Sequence, residues 1–306
     1  MKMKKQIARA GRIGLLLLFG LLLESIGLAG CSNQGVSFDM GNHYTQETYE
    51  NAEAFSAGDF SCNADQVKAV EIYWRAGQVE IVETDSKAVE ISESGKNLAE
   101  DQKLHSCLQD GILRVHFFAS GISGSVSPKE KQLTVRIPAD IDVAVHSTSA
   151  DITAEYLEQN SLLLTTMSGK IRLDGFNGYE GNLSSSSGDI YVGKVETTYL
   201  TVGNSTGQIQ CGEVTSQVMK ADSANGDILV EKLISQDTEL STTSGDATLS
   251  LPKDGAKLAY TTENGKLITD LPYERLGDLW VFGKGTASLV VQSVDGDLEI
   301  KEAGMD

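Results

Sequence analysis

Three kinds of side chain in this sequence are equipped for chemistry: four cysteines, four histidines, and carboxylates that recur at a fixed interval. The cysteines are Cys31, Cys62, Cys107 and Cys211; no Cys-x-x-Cys and no Cys/His ligand spacing joins them, which argues against zinc. Cys62 and Cys107 are candidates for a disulfide in an oxidising compartment, with two separate thiols as the alternative. The histidines, His43, His105, His116 and His146, are scattered, and none lies near a Gly-x-Ser-x-Gly elbow. His116 stands between Val115 and Phe117, which reads as a solvent-facing strand residue. A Ser–His–Asp triad has members that meet only in space, so four histidines among many serines point to none.

The recurring carboxylates are Asp189, Asp227 and Asp246, spaced so that they share one column of a repeat. Such a column can bind a cation or act on a sugar, and Lys170 and Lys266 are the basic residues that share it. The simpler reading is a turn residue pointing to solvent. The Gly-Gly-x-Gly-x-Asp pattern of calcium-binding coils is absent. Tyr179, Tyr191 and Tyr199 can stack on sugar rings or simply fill surface. No catalytic, cofactor or metal residue is assigned, and the expectation is a protein that is not an enzyme.

The repeat that positions these residues runs from Ser149 to Leu267. Its turn reads Ser168-Gly169-Lys170-Ile171, Ser187-Gly188-Asp189-Ile190, Thr206-Gly207-Gln208-Ile209, Asn225-Gly226-Asp227-Ile228 and so on, its second residue at 150, 169, 188, 207, 226, 245 and 265. A further copy, Asp295-Gly296-Asp297-Leu298, follows after a 31-residue step. Two positions beyond the Gly come Ile152, Ile171, Ile190, Ile209, Ile228, Ala247 and Leu267; four beyond come Ala154, Leu173, Val192, Cys211, Val230, Leu249 and Thr269. Polar residues separate them, so one strand face is buried and the other wet. Cys211 falls in the inward column as a small hydrophobe. A second short strand, such as Ser161–Leu164 or Tyr199–Val202, closes each period. One coil cannot bury its apolar face alone, whereas stacked coils share a core. The fold class is therefore all-β: a single-stack β-solenoid with coils of about 19 residues, capped by an irregular N-terminal β segment. The Gly is expected to supply a positive φ for the turn. Residues that follow it stack, with Asp151, Lys170 and Asp189 alternating in sign and Asp227 over Asp246 repelling.

Ahead of the repeat lies an address. Lys2, Lys4, Lys5, Arg9 and Arg12 precede the apolar run Ile13 to Leu23, and then comes Leu28-Ala29-Gly30-Cys31. A basic start, a short apolar stretch and small residues before a cut site make a secretory signal over residues 1–30, too short for a confident membrane span. The last four residues match the bacterial lipoprotein signal. That resemblance implies diacylglyceryl attachment at Cys31, a palmitate-type anchor, and a place on the extracytoplasmic face of the cell membrane. The chain has 25 basic and 43 acidic residues, of which five and one lie in the first 30, leaving 20 and 42 and a net −22. Such a surface disfavours nucleic acid and anionic headgroups, and it would need bridging cations to hold anionic wall polymers.

Residues 31–58 are polar and acidic and read as a flexible tether, although Tyr44, Tyr49 and Phe55 are able to dock. Residues 59–145 read as the N-terminal β segment or cap, 146–301 as the solenoid and 302–306 as a tail. Val70–Trp74 and Val79–Val82 form two strands around Ala76-Gly77, Gly121–Lys131 is a Gly/Ser loop, and the stretch holding Pro272, Trp280 and Phe282 is a longer last coil or a C-terminal cap. Phe60, the Val70–Trp74 strand, Gly77-Gln78-Val79-Glu80-Ile81, Leu133-Thr134-Val135-Arg136-Ile137-Pro138 and the Ser-Gly-Asp-Ile turns together resemble the putative-adhesin β-strand-repeat family, a domain-of-unknown-function group of bacterial envelope proteins. The likeness covers roughly residues 55–301. It implies a β-solenoid with no established catalysis. Some members are tied to envelope-stress signalling. Three functions follow as expectations. The first is a surface lipoprotein that adheres to a cell-wall polymer, a carbohydrate or a protein. The second is an envelope-stress regulator working through a protein partner, and the third a polysaccharide-acting enzyme. An exposed uncharged or aromatic row favours adhesion; clustered carboxylates beside a base favour the enzyme.

Overall fold

The computed structural model describes residues 48–122 and 131–304; the stretch read as a signal peptide, Cys31, His43 and Tyr44 lie outside them. Among the described residues there is no α-helix, and no helix long and apolar enough to cross a membrane. The chain winds as a β-solenoid with two parallel ladders. Four strands, Ile171–Ser185, Ile190–Asn204, Ile209–Ser223 and Ile228–Thr242, each run through both ladders with a bend between. Their register repeats the sequence period: Ile171 faces Ile190, Ile190 faces Ile209 and Ile209 faces Ile228. The inward columns are buried along the whole stack, from Ile152 and Ala154 to Leu298 and Ile300, in one continuous core with Phe176, Val195, Val214 and Leu233 behind them.

The parallel ladders begin well before residue 146. Ala69–Trp74 and Gln78–Glu83 form one coil around Gly77, and Ile112–His116 with Gln132–Ile137 form another. The order in space differs from the order in sequence at both ends. The coil containing Ala69–Trp74 lies between Ile112–His116 and Asp142–Ser147. At the other end Leu298–Glu302 inserts between Ala247–Leu251 and Leu267–Thr269, so the Gly296 turn stacks on Gly245 and the Gly265 turn stacks on Gly296. The 20-residue step from 245 to 265 is thus no step to a neighbouring coil. A hairpin, Tyr273–Leu276 with Leu279–Phe282, gives the 31-residue segment the length to turn back beneath the last coil. The reordering gives Ile112–His116 and Gln132–Ile137 at the N-terminal end a neighbour on both sides, while Leu267–Thr269 at the other end pairs with Leu298–Glu302 only, among the described residues.

The N-terminal end is closed by antiparallel strands. Ala88–Ser94 pairs with Gln132–Ile137, and Phe60–Asn63 pairs with Ala88–Ser94. His105–Gln109 pairs with Ile112–His116, and Ser56–Ala57 adds to its edge. Residues 48–58, at the end of the stretch read as tether, lie on this cap: the Tyr49 hydroxyl donates to the Phe118 carbonyl at 3.0 Å, and the Tyr49 N–H donates to Ser120 Oγ at 3.1 Å.

The repeat glycines correct the expected turn chemistry. Positive φ is confined to the ends, as at Gly77 (92°) and Gly255 (64°), and none of the glycines at 169, 188, 207, 226, 245, 265 and 296 shows it. Their requirement is space. A Cβ on Gly188 would stand 1.9 Å from the Gly169 carbonyl oxygen, and one on Gly226 1.9 Å from that of Gly207. The turns pack backbone on backbone. A second column, three residues before each Gly, holds them: Thr166 Oγ1, Ser185 Oγ, Asn204 Oδ1 and Ser223 Oγ accept from the Gly N–H at 2.9–3.1 Å. Thr166, Ser185 and Asn204 also donate to the turn of the preceding coil, as Ser185 Oγ does to the Gly169 carbonyl at 3.2 Å. Those three buried polar groups are satisfied on both sides, so they specify the stacking register instead of weakening the core.

Candidate functional site

The aspartate column is built as a staple between coils. Asp151 Oδ1 accepts from the Lys170 N–H at 2.8 Å, Asp189 Oδ1 from Gln208 at 3.2 Å, Asp227 Oδ1 from Asp246 at 2.9 Å, and Asp246 Oδ1 from Asp297 at 2.8 Å. Each carboxylate reaches the backbone of the residue stacked on it. A charge-assisted bond of this kind offsets the repulsion expected of Asp227 over Asp246. The Lys170 ammonium lies 2.8 Å from Asp189 Oδ2; with the Gln208 N–H it holds the Asp189 carboxyl below the usual carboxylate range. Lys266 stacks on Asp297, whose Oδ1 accepts its N–H at 2.8 Å, and not on Asp246. Among the described residues no three His, Cys, Asp or Glu side chains converge to hold a metal ion.

The other candidates are dispersed. Cys211 is fully buried, and that burial pushes its thiol up to about 12, far from reactivity. Cys62 and Cys107 are free, in cap strands that pair with opposite ladders. Tyr191 lies under the Arg172 guanidinium, 4.4 Å from the ring centre. Tyr179 and Tyr199 meet edge-to-face at 5.4 Å on the bend between ladders and are exposed.

His116 is 2% exposed, not solvent-facing. Its ring is the centre of a stack: Tyr49 at 3.8 Å on one side and Tyr73 at 4.8 Å on the other, with His146 5.2 Å beyond Tyr73. Strand parity does place His116 on the outer side of the ladder; the docked segment around Tyr49 then covers it. Burial holds the His146 imidazole below its ordinary range, against the pull of Glu71, and its Nδ1 lies 3.2 Å from Thr165 Oγ1.

This stack is the start of an outward column on the second ladder. Register carries it from His146 to Thr165, Ser184, Gly203, Asp222 and Ser241. The column beside it runs Leu163, Asn182, Thr201, Lys220 and Glu239, with the last two paired at 3.4 Å. Burial pushes the Asp222 carboxyl up, and Glu239 adds to that. The outer side of the first ladder is different. There Arg172 pairs with Asp174 at 2.7 Å, Lys194 with Glu196 at 3.7 Å and Lys232 with Glu213 at 3.4 Å. On the second ladder hydroxyls, an amide and a glycine lead from the aromatic stack as far as Gly203 and Thr201, and charge enters beyond them at Asp222 and the Lys220–Glu239 pair. The aspartates stand out in the sequence by their Gly-Asp turns, whereas this row is marked only by the 19-residue spacing of Thr165, Ser184 and Gly203.

The described architecture agrees with the sequence profile of a known family, Toastrack DUF4097, which matches residues 67–301. The chain belongs to that family. No curated protein matches it in sequence. A crystal structure of a putative lipid binding protein from Parabacteroides distasonis superimposes with a TM-score of 0.51 at 14% identity, covering 80% of this chain and 97% of that one. A putative adhesin from Bacteroides fragilis gives 0.39 at 14% identity, covering 80% and 96%. At this identity the first likeness is one of fold. The chain is thus a Toastrack-family β-solenoid.

Proposed function

We propose that this chain is a lipoprotein held to the extracytoplasmic face of the membrane through Cys31, and that it is a non-catalytic binding protein for an uncharged polymer of the cell wall or a neighbouring cell surface. The observation that carries the reading is the uncharged start of the second ladder's outward columns, next to the aromatic stack. On a chain of net charge −18, the second ladder carries Thr165, Ser184 and Gly203 with Asn182 and Thr201 beside them, all uncharged, before the column reaches Asp222 and Ser241. The stretch from Thr165 to Gly203 and Thr201 hydrogen-bonds a neutral polymer without the desolvation cost of charge. The aspartates are committed to backbone N–H groups, which speaks for a scaffold over polysaccharide cleavage.

Residues 39–306 form one compact unit that contains the whole core and serve as the soluble probe. Saturable binding to purified cell walls and intact cells is expected, unchanged by calcium because the aspartates are already engaged. Ser184→Glu with Ser241→Glu is expected to weaken it about tenfold or more by placing charge in the row. Binding that survives this pair of changes rules out the face. Absence of binding to walls and cells rejects the polymer reading in favour of a membrane protein partner, as in envelope-stress regulation. In the full-length chain, Cys31→Ala is expected to move the protein from the membrane to the soluble fraction; retention on the membrane rejects the anchor.

A further inference from the structure

The two ends of the solenoid are closed to different degrees. At the N-terminal end both ladders are covered by antiparallel strands. At the C-terminal end the hairpin reaches only Lys257 and Leu258 of Ala256–Thr261, and among the described residues Leu267–Thr269 pairs with Leu298–Glu302 on one side alone. Along a parallel ladder successive residues turn their N–H and C=O groups to opposite sides. The Lys266 carbonyl accepts from the Leu298 N–H at 2.8 Å, so Leu267 and Thr269 turn theirs to the open side. Such an edge is a template for another strand.

The sequence around this edge selects the strand. Lys266, Ile268 and Asp270 are all exposed and share the outer face, Ile268 at 48%. An antiparallel partner centred on Ile268 and carrying the same five residues would set Lys266 against Asp270 twice, Ile268 against Ile268, and Leu267 against Thr269 twice, with four backbone hydrogen bonds. The segment is complementary to itself in charge, in apolar contact and in hydrogen bonding. Tyr273 and Leu276, the latter 63% exposed, add apolar surface on the adjoining hairpin.

We infer that the partner is a second copy of this chain, joined end to end through Leu267–Thr269 in a two-fold antiparallel dimer. The contact is isologous, and the opposite end is covered, so it closes at two copies and does not propagate into a filament. It is independent of what the outer face binds. A strand of three residues makes a weak contact, within the range of transient interfaces.

The test uses residues 39–306. Sedimentation velocity over a concentration series is expected to show a monomer–dimer equilibrium. Lys266→Asp and Asp270→Lys each place two like-charge pairs across the two-fold axis and are expected to weaken the dimer about tenfold, while the double exchange Lys266→Asp with Asp270→Lys restores it. In a Cys62→Ser, Cys107→Ser background, Ile268→Cys is expected to give a disulfide-linked dimer on mild oxidation, since opposed residues of a non-hydrogen-bonded pair lie within disulfide reach. Tyr156→Cys, exposed far along the stack, is the comparison. A monomer throughout the series, a dimer indifferent to both charge changes, or an Ile268→Cys chain that cross-links no faster than Tyr156→Cys overturns the inference.

Discussion

Gly188→Ala is expected to be among the most damaging single substitutions in this chain, while Gly203→Ala, only fifteen residues away, is expected to be silent. The added carbon at position 188 would meet the Gly169 carbonyl oxygen at 1.9 Å and its carbon at 2.4 Å. Those atoms are backbone, so no rotamer relieves the clash; the coils must separate or tilt. The Gly169 carbonyl also receives the Ser185 hydroxyl at 3.2 Å, and the Gly188 N–H is held by Ser185 Oγ at 2.9 Å, so movement at one turn breaks the bonds of the next. Overpacking of a side-chain core costs roughly 1–3 kcal/mol; a clash of backbone on backbone with loss of two buried hydrogen bonds is expected to cost about 3 kcal/mol or more. For a unit of this size that corresponds to a fall in melting temperature of roughly 6–12 °C. At Gly203 a Cβ meets nothing within 4 Å and points outward, so its change is expected to stay within about 0.5 kcal/mol. Thermal unfolding of the two variants side by side decides the point. Equal melting temperatures would mean that the turns are not close-packed.

That prediction also shows where the sequence was legible and where it was not. The period was plain because every coil buries the same columns. Period-two alternation from Ile171 to Leu173, or from Ile209 to Cys211, has one physical solution once it repeats every 19 residues. The role of the glycines was misassigned because a positive φ and a close backbone approach both demand Gly, and only stacking distinguishes them. Its sign was nonetheless present: a Ser, Thr or Asn stands three residues before nearly every one of them, a column that only a buried, hydrogen-bonded turn requires. The swapped coil order was not readable, since Gly245, Gly265 and Gly296 carry the same local pattern and nothing local says which stacks on which. Alternation makes His116 a solvent-facing residue, whereas it is buried. What covers it comes from Tyr49, a contact across 67 residues that alternation cannot show. The candidate binding face had the same obstacle in milder form. Thr165, Ser184 and Ser241 are unremarkable alone and become a row only when register aligns them.

Lys131→Met is expected to destabilise the N-terminal cap by about 3–5 kcal/mol, although Met nearly matches the lysine in size and the site is apolar. Lys131 is fully buried and stands in the inward parity of Leu133, Val135 and Ile137, a position where the alternation calls for a hydrophobe. Its ammonium lies 2.9 Å from Glu93 Oε2, donates to the Gln102 carbonyl at 2.7 Å and to the Phe117 carbonyl, and sits 4.3–5.0 Å from the ring centres of Trp74, Phe117 and Phe118. The stem fills the core while three acceptors and three rings surround the charge. Removing it strands a Glu93 carboxylate that is itself buried and otherwise holds the Leu104 N–H. That orphaned charge, more than the lost attraction, makes the substitution costly. Glu93→Gln keeps an acceptor for Leu104 without the charge, so the double variant Lys131→Met with Glu93→Gln is expected to recover a large part of the loss. Full recovery is not expected, because the Gln102 and Phe117 carbonyls remain without their donor, at about 1–3 kcal/mol each. A double-mutant cycle by denaturant unfolding measures the coupling. Additive losses would reject the ion pair as the element that holds the cap. A strongly positive coupling would show that Ala88–Ser94, the strand that carries Glu93, is fixed over the first coil by one buried charge pair, and the antiparallel closure that prevents self-pairing at that end would rest on it.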